Sequence, residues 1–274
     1  MRKFTLFLFA LFLSVKSEAQ YFETGLTAGL TSYIGDLQPG APNNESFGLT
    51  YGALLRYNLS PRLAVKLTGI AGEFYANDRY AKSNRRFRNL EVQTQLYEVA
   101  LTGEFNLNPY DVNDNKRISS YLFAGVAGLY FNPQARTFGA QTTWHDLQPL
   151  NTEGVNYGQF QAVIPFGVGL KLSLTQRLNL NFEAGFRFTF TDYLDDVSGN
   201  YPDLALLADK NPLAYQLSFR TPELKPNIEL PSGEKRGDSY KRDMYYFVGA
   251  TLSFNLANRS KMEFNEIYRS FQQQ

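Results

Sequence analysis

The sequence predicts an all-β chain: a single eight-stranded, antiparallel, up-and-down transmembrane β-barrel with a filled lumen, long extracellular loops and short periplasmic turns. Three observations predict it. Eight segments alternate large apolar residues with small or polar ones at period two. The connections between them alternate between short and long. The apolar set, five to eight Leu, Phe, Tyr or Val side chains from nearly every strand, is too bulky for the inside of eight strands.

Ahead of the strands, Arg2 and Lys3 lead an apolar run over 4–15 and a small-x-small site at Ser17, Glu18 and Ala19, the pattern of a secretory signal peptide removed before Gln20. The run is shorter than the roughly twenty residues of a spanning helix. The expected organisation is a signal peptide at 1–19, a barrel at 20–256 and a periplasmic tail at 257–274.

Strand one, about 21–36, sets Phe22, Leu26, Ala28, Leu30 and Ile34 against Glu23, Gly25, Thr27, Gly29 and Thr31. Strand two, 47–58, sets Phe47, Leu49, Tyr51, Ala53, Leu55 and Tyr57 against Gly48, Thr50, Gly52 and Arg56, with Leu54 an exception on the polar face. Strand three places Leu63, Val65, Leu67 and Ala71 opposite Lys66, Thr68 and Gly72, and strand four Tyr97, Val99, Leu101, Phe105 and Leu107 opposite Glu98, Thr102, Glu104 and Asn106. Strand five, near 120–131, is Gly-rich and apolar on both faces, which leaves its register open. Strand six alternates from Phe160 to Leu174 against Gln161, Gly167, Gly169, Lys171 and Ser173. Strand seven, "LNLNFEAGFRFTF", opposes Leu178, Leu180, Phe182, Phe186, Phe188 and Phe190 to Asn179, Asn181, Glu183, Arg187 and Thr189. Strand eight, 244–256, carries Val248, Leu252, Phe254 and Leu256 against Gly249, Thr251, Ser253 and Asn255.

Connections at 59–62, 108–118 and 175–177 are short or moderate, whereas those at 37–46, 75–93, 132–158 and 192–243 are long. That is the rhythm of a barrel of the bacterial outer membrane with periplasmic turns, and an even strand count returns both termini to the turn side. A soluble lipocalin-like barrel would turn its apolar face inward, and the bulk of that face argues against it. The opposite face fits inside: glycines and threonines save space, and Arg56, Lys66, Glu104, Lys171, Glu183 and Arg187 can pair as a polar lumen network. Phe188 and Phe190 at one end and Phe254 at the other suit interfacial girdles.

With the signal peptide removed, 24 basic and 25 acidic side chains leave a nearly neutral chain with no nucleic-acid footprint. The lack of cysteine excludes disulfides, thiolate zinc sites and lipidation at a signal-peptide cysteine. His145, the single histidine, adjoins Asp146 in "TTWHDL"; it is the one candidate for a lipid-modifying acyl-transfer enzyme, and a polar loop residue is the simpler reading. Asp192, Asp195, Asp196 and Asp203 cluster at a spacing unlike the twelve-residue calcium loop, which favours carboxylates capping backbone amides. Arg79, Lys82, Arg85, Arg86 and Arg88 form a basic loop, either a clamp for phosphates of lipopolysaccharide or a solvated charged segment. No catalytic, cofactor or metal residues are expected, and the expected partners of the shell are outer-membrane lipids and lipopolysaccharide.

After Leu256, Phe264, Ile267, Tyr268 and Phe271 recur at helical spacing against Glu263, Asn265, Glu266 and Arg269. So short a stripe needs a surface to bury its apolar side, which makes the tail a candidate for binding a periplasmic partner.

The segments "SYIGDL" (32–37), "LYEVALTGEFNL" (96–107), "YLFAGVAG" (121–128), "NTEG" (151–154), "IPFGVGLK" (164–171) and "FTDYLDDVSGNY" (190–201) together resemble the PorG-like outer-membrane barrels of Bacteroidota. The resemblance implies a non-enzymatic anchor or accessory of the type IX secretion system, contacting a periplasmic ring made of a lipoprotein and its soluble partner. It supplies no catalytic residue. A small pore or surface-binding barrel is the remaining alternative.

Overall fold

The computed structural model describes residues 21–40, 44–80, 83–111, 116–137 and 143–256. Nine strands follow in chain order: β1 Tyr21–Ile34, β2 Phe47–Asn58, β3 Leu63–Asn77, β4 Glu91–Asn106, β5 Ile118–Arg136, β6 Trp144–Asp146, β7 Phe160–Ser173, β8 Leu178–Thr189 and β9 Met244–Leu256. Each long strand pairs antiparallel with its neighbour, and β9 returns to β1, with Phe22 opposite Leu256 and Ile34 opposite Met244. The result is a closed eight-stranded barrel with no free edge. The short β6 lies outside that ring, as a flap on the end of β5 that pairs Arg136 with Trp144.

Two tight turns on the terminus side share one device. The Ser60 hydroxyl accepts from the Arg62 and Leu63 amides at 3.3 and 3.1 Å, and Thr175 does the same for Arg177 and Leu178 at 3.2 and 2.9 Å.

Leu26, Leu49, Val99, Val126, Val168 and Leu252 are exposed on the outer wall, while Glu23, Arg56, Lys171 and Ser253 are buried within. A wall of this kind suits lipid, because the closed ladder satisfies every backbone group internally. No helix among the described residues is long and apolar enough to cross a membrane.

Strand five has its register settled. Ser119, Tyr121, Phe123, Leu129 and Phe131 point inward, and Leu122, Val126 and Tyr130 outward. Tyr121 lies over Gly169, where an added Cβ would meet the ring at 2.2 Å. Replacing Gly169 by Ala should therefore destabilise the barrel by about 1–3 kcal/mol, the usual cost of overpacking, measured as a lower urea midpoint.

β3 and β4 run a little past the expected ends of the 75–93 connection, to Asn77 and from Glu91, and β5 runs past 131 to Arg136. The reason is an inversion of their pattern. Above Ala71, Tyr97 and Tyr130 the outward positions become Glu73, Gln93, Gln95, Asn132 and Gln134, and the inward ones Phe74, Val92, Leu96, Phe131 and Ala135. These upper segments have the sense of a water-soluble barrel, apolar within and polar without. Their interior closes on Tyr33, Leu37, Leu147, Leu194, Val197, Leu217 and Tyr245 in one hydrophobic core.

The long connection before β9 folds over this mouth as a cap and holds two helices that the sequence reading did not identify, α1 Leu204–Lys210 and α2 Pro212–Ser218. Asp203 caps α1 by accepting from the Leu206 amide at 3.0 Å. Asn211 caps α2 at the Ala214 amide, 3.2 Å, with Pro212 in the first turn.

Candidate functional site

Glu104 of β4 sits at the centre of the lower lumen. Its carboxylate faces Arg56 Nη2 at 3.2 Å, Lys66 Nζ at 3.3 Å and Lys171 Nζ at 2.7 Å. Arg56 Nε lies 2.9 Å from Glu104 Oε2, an ion-pair distance off the hydrogen-bond axis. Arg56 also donates to Glu23 at 2.7 Å, Lys66 pairs with Glu183, and Arg187 lies 3.5 Å from Glu98 and 3.9 Å from Glu183. Four carboxylates, Glu23, Glu98, Glu104 and Glu183, thus meet four cations, and nearly all are under 5% exposed. Charges so far from water are tolerable only when balanced and hydrogen-bonded. Aromatic rings complete the packing: Lys171 lies 4.8 Å from the Tyr121 ring centre and Lys66 5.0 Å from that of Phe123.

Tyr110, from the β4–β5 connection, closes the turn end; its hydroxyl donates to Asn179 at 3.0 Å and Lys171 stands over its ring. Midway up, a cavity bounded by Thr27, Leu54, Glu98, Phe123, Arg187 and Phe247 measures about 20 Å³, room for roughly one water. The six lumen residues named from sequence all come together here. Glu23 and Glu98 complete the set; the signal for both was their place on the same alternating face. Tyr110 and Tyr121 had no such signal, since one lies in a turn and the other in the strand with two apolar faces.

At the other end the cap is built on buried carboxylates. Asp195 accepts the Tyr33 hydroxyl and the amides of Leu37 and Val197, at 3.1 and 3.0 Å for the amides. Asp243 accepts from the Leu194 amide at 2.9 Å, and Asp36 from that of Asp238 at 2.7 Å. Asp196, held at φ +63°, accepts from Thr152 and, at 2.7 Å, from Tyr157. Glu153 accepts the Ser198 and Gly199 amides at 3.0 and 2.8 Å and pairs with Arg236 at 3.0 Å. The segments "SYIGDL", "NTEG" and "TDYLDDVSG" are therefore one structural unit. Gly35 is required in it, because a Cβ there would meet Asp243 Oδ1 at 2.1 Å. Among the described residues no group of three or more acidic or histidine side chains is arranged to hold a metal, and the oxygens of Asp195 and Asp196 accept from amides and hydroxyls.

Burial, then the charge of Asp36, pushes the Asp195 carboxyl up to about 8; burial also raises Asp192 to about 7 and, with the charges of Asp195 and Asp192, raises Asp243. Groups whose folded pKa exceeds the unfolded value of about 3.9 stabilise the cap at low pH and lose that contribution as pH climbs towards 8. Exchange of the Leu194 amide, corrected for its intrinsic rate, should accelerate between pH 5.5 and 8.5. Asp195→Asn, which keeps the acceptor and removes the charge, should flatten that dependence.

The basic loop divides. Arg88 holds Asp78 through two hydrogen bonds of 2.7 Å, and Arg85 donates to the Asp36 carbonyl at 2.8 Å. Arg79 and Arg86 line an open cleft on the rim with Arg136 and Arg220. His145 lies in β6 beside Ala135, and the carboxylate of Asp146 accepts from Asn132 and Gln134 at 2.8 and 2.7 Å rather than from His145. The expected signal peptide at 1–19 and the tail residues Phe264, Ile267, Tyr268 and Phe271 lie outside the described residues.

No curated protein matches the sequence. Among solved structures the chain is similar to Neisserial surface protein A (8% identity, TM-score 0.42, covering 85% of this chain and 96% of that one). It is also similar to OprG of Pseudomonas aeruginosa (8%, 0.39, 88% and 98%) and to a major outer membrane protein of Thermus thermophilus (13%, 0.42, 87% and 100%). Likeness at this level adds nothing to the strand pairings, which close the barrel by themselves. The sequence pattern of a family described as "Domain of unknown function (DUF6089)" matches residues 2–211, from ahead of β1 to the end of α1, and the chain belongs to that family.

Proposed function

We propose that the chain is a non-enzymatic barrel of the bacterial outer membrane that works at its two rims rather than through its lumen, as an anchor or accessory of type IX secretion. The observation that carries the rim-acting reading is the closed interior: Tyr110 at one end, a balanced ionic layer above it and a packed cap at the other. The secretion role is supported by the resemblance of "SYIGDL" and "TDYLDDVSGNY" to PorG-like barrels, segments that meet in the cap. In this reading both termini and the tail are periplasmic, and the tail meets the ring partner.

Pure protein in planar bilayers should show no steady conductance; a stable open level would defeat the closed-lumen reading. Deleting residues 260–274 should leave a heat-modifiable barrel while weakening recovery of the ring lipoprotein after crosslinking in native membranes. Unchanged recovery with secretion intact would remove the tail from the account. A surface-binding barrel is the second reading, favoured by the folded cap and the arginine cleft beside it.

A further inference from the structure

The arginine cleft has an excess of positive charge that the fold does not use. It opens above β3, β4 and β5 with a volume of about 570 Å³. Four guanidinium groups, Arg79, Arg86, Arg136 and Arg220, meet two carboxylates: Glu91 pairs with Arg136 at 2.6 Å and Glu223 with Arg220 at 3.0 Å. Arg79 and Arg86 form no ion pair among the described residues. Arg220 is only 5% exposed, yet its Nη1 makes no hydrogen bond. A buried guanidinium nitrogen without an acceptor costs free energy unless an acceptor arrives, and paired guanidiniums match phosphate oxygens better than a point charge does.

The same strands carry a second feature lower on the outer wall. A groove of about 630 Å³ runs between Tyr51, Tyr97, Tyr130 and Phe160. Its floor is open at Gly69 and Gly128, where an added Cβ would touch nothing. Tyr97, Tyr130 and Phe160 are register partners across β4, β5 and β7, at the level where the apolar belt ends. Between groove and cleft the wall is polar: Gln93 donates to Glu73 at 2.6 Å, and Gln95 to Gln134 at 3.4 Å. Glu91 stands six residues above Tyr97 on β4, about 20 Å along the strand and roughly 15 Å along the membrane normal at the usual tilt.

From the membrane outward, one face thus presents an apolar groove, a belt of amides and a guanidinium cleft. We propose that the β3–β4–β5 face binds one phosphorylated glycolipid of the surrounding leaflet, with its phosphate in the cleft, its saccharide against the amides and an acyl chain in the groove. The inference rests on the outer-membrane reading above, with the cap on the outer side. Arg79 and Arg86 supply the attraction, Arg136 and Arg220 the fixed fork, and the groove the selection for a lipid over a free anion.

Trp144, the single tryptophan, reports on the site, because Arg136 lies 5.3 Å from its ring centre. The full chain in phosphatidylcholine nanodiscs should give a saturable change in Trp144 emission with diphosphorylated lipid A, at least tenfold weaker with its dephosphorylated form. The double variant Arg79→Glu, Arg86→Glu should weaken the phosphorylated lipid tenfold or more. Gly128→Leu, which fills the groove, should weaken the lipid while leaving any response to inorganic pyrophosphate unchanged. Heat-modifiable mobility checks folding of each variant. Equal response to the dephosphorylated lipid, or undiminished binding by the double variant, would overturn the inference; so would pyrophosphate binding as tightly as the lipid, which makes this a free-anion site. An inserted, folded chain that ignores lipid A defeats this inference alone, whereas a chain that does not enter the discs defeats the membrane reading with it.

Discussion

Glu104→Gln should lower the stability of the barrel by about 3–5 kcal/mol, the cost of leaving a buried ionic group without its partner. Glu104 faces Arg56, Lys66 and Lys171 in a lumen where four acids balance four bases, so the substitution leaves the lumen with a net positive charge and takes from the fully buried Lys171 its carboxylate, while Arg56 and Lys66 keep only Glu23 and Glu183. The urea midpoint of unfolding should drop accordingly. Charge balance, rather than a single contact, is the physical content of the claim, and a second variant separates them. Glu104→Gln combined with Lys171→Met restores equal numbers of acids and bases and fills the vacated volume with apolar atoms. It should recover most of the loss, because an apolar replacement for a buried pair is often neutral. A double variant as unstable as the single one would mean that Glu104 acts through geometry and not through charge.

Phe186→Arg should impair assembly by a comparable amount, about 2–4 kcal/mol for a basic residue near the bilayer midplane. Phe186 is 44% exposed and sits opposite Phe166 of β7, with ring centres 6.0 Å apart. It lies on the outer face of β8 well below Phe190, in the apolar belt that the outer-membrane reading puts in lipid. Thr189 offers no useful control on the inner face, since it is fully buried and donates to the Asp243 carbonyl at 2.7 Å. Tyr240→Arg is the matched control: Tyr240 is 89% exposed on the cap, and its replacement should change stability by no more than about 0.5 kcal/mol. The fraction of heat-modifiable monomer after refolding into lipid vesicles measures both.

The belt was readable from sequence because a wall in lipid imposes one rule on every strand. Apolar residues must occupy each second position, and β8 follows the rule from Leu178 to Phe188, with Ala184 the one small member of the row. The upper halves of β3, β4 and β5 follow the opposite rule, with Gln93 and Gln95 outside and Val92 and Leu96 inside. A reading tuned to the first pattern ends those strands too early. The cap was hidden for another reason. Its order comes from carboxylates that accept amides across long sequence separations, such as Asp195 with Leu37 and Asp36 with Asp238. No local period marks such contacts, although the cluster of aspartates pointed to carboxylates that cap backbone amides. α1 and α2 are two turns each and draw their stability from Leu204, Ala214 and Leu217, which are buried against the cap and barrel mouth. Segments that short carry little helical signal of their own. The arginine cleft was half visible: the basic run at 79–88 stood out, but Arg136 and Arg220 join it only through the fold.

Spin labels placed singly along β9 test the central claim, a lipid-facing wall around a closed interior. Labels at 248, 252 and 254 should collide with oxygen dissolved in the bilayer and stay out of reach of a water-soluble nickel complex. Labels at 247, 251 and 253, where the native side chains are buried, should be shielded from both. Nickel contact at the odd positions would mean a water-filled lumen, and nickel contact at the even positions would mean a wall that faces water instead of lipid; either result contradicts the account.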